Sequence, residues 1–199
     1  DPVVSATVTI ASGGALTCNT TDAWTPGQTI IINGTLTWNC ATELVLATLV
    51  VGSGGNAEVS STGEISVTGA SSLSGTATLS AAGTLDFDGD VTIAGTGGIT
   101  VSAAGTVEVD DDIDNSAGGN INMTAGTITF DGGDAAEYTI GSGTNTLNTV
   151  TVAAATPLTI SGSEGTLNID GTLTPAAATS DINASANVTV TFSASVDLS

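Results

Sequence analysis

The 199-residue chain contains no lysine, no arginine and no histidine. An average soluble chain of this length carries on the order of 25 basic residues, so the absence is not sampling noise. Without cations the chain has nothing to neutralise phosphate, which excludes nucleic acid as a partner. Anionic membrane surfaces are excluded on the same ground. The commonest general bases and Schiff-base nucleophiles are missing, and so are arginine clamps for carboxylate or phosphate. Proteases that cleave after Lys or Arg find no site. What is left for chemistry is Asp, Glu, Ser, Thr, Tyr138 and the backbone.

Other shortages narrow the class further. Aromatic residues are 3% of the chain, too few for an aromatic sugar-binding cleft. The longest apolar run, "LVLATLVV" at 44–51, has eight residues, far short of the ~20 that span a bilayer as a helix. There are two cysteines, Cys18 and Cys40. In a chain of secreted character they are expected to form one disulfide. A free thiol pair or a bond between chains is the alternative. The chain begins on Asp1 rather than Met, from which a removed signal segment and a secreted, cell-surface location are expected.

What is present is acidic yet apolar. The formal net charge is −20, while 40% of residues are hydrophobic and mean hydropathy is positive. A disordered acidic tail would lack that apolar content. The apolar residues alternate with polar ones in short runs, separated by Gly, Asn, Asp or Ser-Gly turns, and no segment shows a 3.6-residue period.

The runs repeat. "GTLDFD" at 83–88 returns as "GTVEVD" at 105–110, "GTITFD" at 126–131 and "GTLNID" at 165–170. Looser copies start at 63, 145 and 186, so the steps are 20, 22, 21, 19, 20 and 21 residues. A step this regular, with several strands and no helix per unit, predicts an all-β fold: a parallel β-solenoid, or β-helix, of about seven rungs. An antiparallel sandwich is the rival, but it has no reason to repeat register. Stacking the copies puts Leu85, Val107, Ile128, Leu147, Leu167 and Val188 in one inward slot. Phe87, Val109, Phe130, Ile169 and Val190 fill a second, with Thr149 the exception. Asp86, Glu108, Thr129, Asn148, Asn168 and Thr189 then face outward.

This "SAAGTLDFDG" grammar, over about residues 57–199, resembles the parallel β-helix repeats of prokaryotic surface proteins of the filamentous-haemagglutinin and autotransporter-passenger kind. The resemblance implies an extracellular structural role and transfers no catalytic residues. Residues 1–56 hold both cysteines and both tryptophans, Trp24 and Trp38. They are expected to form a cap or assembly region fused to the solenoid of 57–199, because an uncapped solenoid exposes a sheet edge at each end.

Four further features bear on function. Asp88, Asp110 and Asp131 share one slot in consecutive rungs, and Asp90, Asp112 and Asp134 follow two or three residues later. Stacked like charges with no base to pair them suggest a hard cation, Ca²⁺, held by carboxylates on glycine-bearing turns. None is an EF-hand, and a solvated acidic edge is the alternative. No obligatory cofactor is expected. Glycosidases use paired carboxylates, but acids that recur rung after rung read as structural positions, so no enzyme is expected. A threonine ladder through Thr84, Thr106, Thr127, Thr146 and Thr166, with several T-x-T triplets, resembles ice-binding solenoid faces. Sequons at Asn19, Asn33, Asn122, Asn183 and Asn187 are candidate glycan sites.

The strand-like runs at the two ends, carrying Val4, Ala6, Val8 and Ile10 and then Val188, Val190 and Phe192, are candidate assembly strands. The expected function is self-assembly into a filament, sheath or surface layer, by strand addition or end-to-end stacking. A monomeric adhesin or stalk binding glycans or surfaces is the first rival. An ice-binding solenoid is the second.

Overall fold

Apolar–polar alternation in this chain comes in short runs, most of them bounded by Gly, Ser, Asn or Asp turns. Among the described residues the outcome is 25 strands of three to five residues. The computed structural model describes residues 7–19, 28–132, 136–152, 157–175, 182–185 and 187–194. Among these residues there is no helix, and so none long and apolar enough to cross a membrane.

The strands follow one another around a column. The first described turn holds β1 (Val8–Ile10) and β2 (Ala15–Cys18). Seven complete turns of three strands follow: β3 (Thr29–Ile32), β4 (Thr35–Trp38) and β5 (Glu43–Leu46); β6 (Thr48–Val51), β7 (Asn56–Val59) and β8 (Glu64–Val67); β9 (Ser71–Leu73), β10 (Thr76–Leu79) and β11 (Thr84–Phe87); β12 (Val91–Ile93), β13 (Gly98–Val101) and β14 (Thr106–Val109); β15 (Ile113–Asn115), β16 (Asn120–Met123) and β17 (Thr127–Phe130); β18 (Glu137–Ile140), β19 (Thr144–Leu147) and β20 (Thr149–Val152); β21 (Leu158–Gly162), β22 (Gly165–Ile169) and β23 (Leu173–Pro175). The last turn holds β24 (Ile182–Ala184) and β25 (Val188–Phe192).

Every strand pairs in parallel with its counterpart one turn away, which makes three sheets. Face A runs from β1 to β24, face B from β2 to β25, and face C from β5 to β23. The protein is a parallel β-solenoid with its core inside the three faces. Leu85, Val107, Ile128, Val150 and Leu173 form one buried column on face C. Trp38, Tyr138, Phe87 and Phe130 are the largest fully buried side chains. The burial of each Leu, Ile, Val or Phe contributes about 1.5–3 kcal/mol.

The run 44–51 is not one strand. It breaks at Ala47 between β5 and β6, so that Leu44 and Leu46 enter the core from face C and Leu49 and Val51 from face A. The glycine that opens "GTLDFD" sits at the corner leading into face C. A Cβ on Gly83 would lie 2.5 Å from the carbonyl oxygen of Gly63, and one on Gly105 would lie 2.7 Å from that of Gly83. Successive turns come too close at this corner for any side chain.

Two expectations need correction. The predicted inward slot follows face C for Leu85, Val107 and Ile128 and then breaks: Leu147, Leu167 and Val188 lie on face B in β19, β22 and β25, two residues out of register, since Leu147 pairs with Ile169, Leu167 with Val190 and Val188 with Gly165. The face C strand stacked on β17 is β20, so Thr149 pairs with Thr127 in an outward position rather than interrupting the core. Faces B and C carry the same G-T-apolar grammar, and a step near 20 residues fits either one. The solenoid also does not begin at residue 57. Strands β1–β6 already lie in the same three sheets, and "GTLTWN" at 34–39 contains β4, in register with β7.

Cys18 and Cys40 are bonded, with Cα atoms 6.0 Å apart and a separation of 22 residues. The bond ties the first turn to the second near the N-terminal end.

Candidate functional site: the acidic corner and the column ends

The edge where face C turns towards face A collects carboxylates because the slot just beyond three consecutive face C strands, β11, β14 and β17, is an aspartate. The amides of Asp88, Asp110 and Asp131 donate to the carbonyls of Val67, Phe87 and Val109 at 3.0, 3.0 and 3.3 Å. The three residues therefore stack in consecutive turns, as the repeat predicted, and all three are exposed. On the face itself Asp86 and Glu108 are direct register partners, with backbones about 4.8 Å apart.

Crowding without a countercharge alters these acids. Burial, then the charges of Asp88, Glu64, Glu108 and Asp110, push the Asp86 carboxyl up to about 7. Burial, then the hydrogen bond and charge of Asp110 and the charge of Glu108, push Asp131 up to about 6. Glu64 is raised by burial and by Glu43 and Glu108. Asp114 moves the other way, because the Ser116 hydroxyl and backbone amide hydrogen-bond its carboxylate, the amide at 2.9 Å.

The five predicted cation ligands among the described residues do not come together as one group. Asp90 and Asp112 leave the Asp88–Asp110–Asp131 stack and sit at the entry to face A, where their carbonyls accept from Ser71 and Val91 at 2.8 Å. There they meet Asp111, which slot counting passed over although "DDDID" contains it. One carboxylate oxygen from each of Asp90, Asp111 and Asp112 lies within 4.8 Å of the other two. Asp112 Oδ1 also accepts from the Glu137 amide at 2.7 Å. Asp134 lies outside the described residues. The trio offers the oxygen donors that a hard divalent cation requires.

The threonine ladder is likewise redistributed. Thr84, Thr106, Thr127 and Thr149 are successive register partners on face C, while Thr146 and Thr166 lie on face B. A second face C column runs Thr129, Thr151, Thr174. Two T-x-T pairs, 127–129 and 149–151, are thus stacked in register.

Of the sequons, Asn19, Asn122, Asn183 and Asn187 are exposed and Asn33 is half-buried. Asn19 Oδ1 accepts from Asn39 Nδ2 at 3.1 Å.

The column ends are the other distinctive surface. Val4 and Ala6 lie outside the described residues. Val8 and Ile10 belong to β1, which pairs with β3, and Val188, Val190 and Phe192 belong to β25, which pairs with β22. These runs are the end strands of the chain's own sheets. Among the described residues β1, β2, β24 and β25 each pair on one side only. Val8, Leu16, Ile182, Val188 and Val190 pack on the core while staying partly exposed, and Phe192 is 42% exposed. Every carboxylate side chain of the described residues lies between Glu43 and Asp170. Asp1, Asp22, Asp181 and Asp197 fall outside the described residues.

No family model, no curated protein and no solved structure matches the chain.

Proposed function

We propose that the chain is an extracellular structural subunit that assembles end to end into a filament, sheath or surface layer. The carrying observation is that, among the described residues, the end strands β1, β2, β24 and β25 each pair on one side only. A parallel sheet edge is a template for another strand, and a column with an open edge at each end has two such templates. Because the two ends differ, their contact is heterologous and builds an open polymer. The disulfide, the absence of Lys and Arg cleavage sites and the resemblance in repeat grammar to secreted surface proteins support the extracellular part of the reading. Electron microscopy of the purified chain tests it. Fibres are expected, and only dispersed particles at high concentration would overturn it in favour of a monomeric adhesin or stalk.

A second reading has its own observation. The stacked T-x-T pairs on face C present a regular hydroxyl array to solvent, which supports ice binding. Measurable thermal hysteresis would favour it, and none at millimolar protein would remove it.

A further inference from the structure

Resting on the end-to-end reading, we infer the register of the joint: β24 of one copy pairs in parallel with β1 of the next, and β25 pairs with β2. Asn183 then stands opposite Thr9 on face A, and Thr191 opposite Thr17 on face B. The occupant of each open end is a second copy of this chain.

The inference starts from which way the end residues point. On face A, Val8 and Ile10 stack on Ile30 and Ile32, while Ile182 and Ala184 stack on Leu158 and Ile160. On face B, Leu16 and Cys18 stack on Leu36 and Trp38, while Val190 and Phe192 stack on Leu167 and Ile169. All eight end residues therefore occupy inward positions. A slip of one residue would turn each of these rows outward, so only even registers keep the core continuous.

The corners then select one even register. Leu16 follows Val8 by eight positions, and Val190 follows Ile182 by eight. One register thus serves both faces at once. The turns between the faces correspond as well: the Gly14 amide donates to Ala11 at 2.8 Å, and the Val188 amide donates to Ser185 at 3.1 Å. Ala11 and Ser185 each directly follow the face A strand. A two-residue slip on the faces would set these corners out of step. In the inferred register Ile182 covers Val8, Val190 covers Leu16, and the exposed Phe192 closes over Cys18.

Cysteines at two exposed outward positions test it. Thr9 and Asn183 are both exposed, and no free cysteine competes among the described residues. Within one chain the two positions are eight turns apart, roughly 38 Å. Across the inferred joint their Cα atoms lie about 4.8 Å apart, within disulfide reach. The T9C/N183C variant is expected to give a ladder of covalent oligomers on oxidation, collapsed to monomer by reductant. T9C/S185C, displaced by two residues to about 8 Å, is expected to give none. Fibres by microscopy with a ladder from T9C/S185C alone, or with no ladder from either variant, would overturn the register and leave assembly standing. Neither fibres nor ladders would remove the assembly reading itself.

Discussion

Asn115 Nδ2 donates to Asn145 Oδ1 at 3.0 Å across one turn of the column, both side chains fully buried. The same Oδ1 accepts from the Ile121 amide at 2.7 Å. Asn115 Nδ2 also donates to the Gly119 carbonyl at 3.0 Å. The pair sits where β16 and β19 keep a single registered position, Asn122 with Thr146. A side chain supplies the acceptor that the backbone ladder does not offer Ile121 there.

Asn145→Leu is therefore expected to destabilise the fold by about 1–3 kcal/mol, the cost of stranding a buried donor. A lowered melting temperature in a circular-dichroism melt checks this. An unchanged one would show that Ile121 finds another acceptor.

Stability should fall as pH rises from about 4 to about 7. Asp86 and Asp131 have folded-state pKa values near 7 and 6, above the ordinary aspartate value, so in this window the folded chain binds more protons than the unfolded one. Their stabilising contribution is complete below the ordinary value and is lost as pH passes through the raised one. Asp114 works oppositely, but only at pH below the ordinary aspartate range. The expected melting temperature is higher at pH 5 than at pH 8, and Asp86→Asn should raise the pH 8 value and shrink the difference. A wild-type protein more stable at pH 8 would contradict this.

If the Asp90–Asp111–Asp112 trio holds Ca²⁺, millimolar Ca²⁺ should raise the melting temperature and EDTA should reverse the rise. The double variant Asp111→Asn/Asp112→Asn should lose the response. A melting temperature indifferent to both additions would leave the trio a solvated acidic corner.

Gly105→Ala should cost about 1–3 kcal/mol, as overpacking does. Its Cβ would meet the backbone oxygens of Gly83 and Ala81 at 2.7 and 2.9 Å, and backbone cannot rotate away as a side chain can. The measured quantity is again the melting temperature, and a neutral substitution would mean that the corner opens more readily than this spacing implies.

The fold was legible because alternation and repeat length are properties of the chain alone. Leu85, Phe87 and their counterparts one turn later announce an inward column whatever the number of faces. Which face a copy belongs to was not legible, since "GTLNID" on face B and "GTLDFD" on face C obey one local grammar. The register depends on corner lengths, and 105–110 reads no differently from 165–170 until the corners are counted. Asp111 was missed for a related reason: it sits between two slots, in a corner that only the folded backbone brings round to Asp90. The burial of Asn115 and Asn145 was not legible either, because a polar residue in an inward position is visible only once the inward position is known.

The hydrogen bonds between turns all run along the length of the column. A pull on its two ends would therefore load them in tension and pass the same force through each turn in series. Each turn holds only its neighbours, so the molecule would yield locally rather than shear as a block, and one freed turn of about 22 residues would pay out roughly 70 Å of slack. The step between β16 and β19, with its single registered pair, is the place where such a strand of material would begin to give.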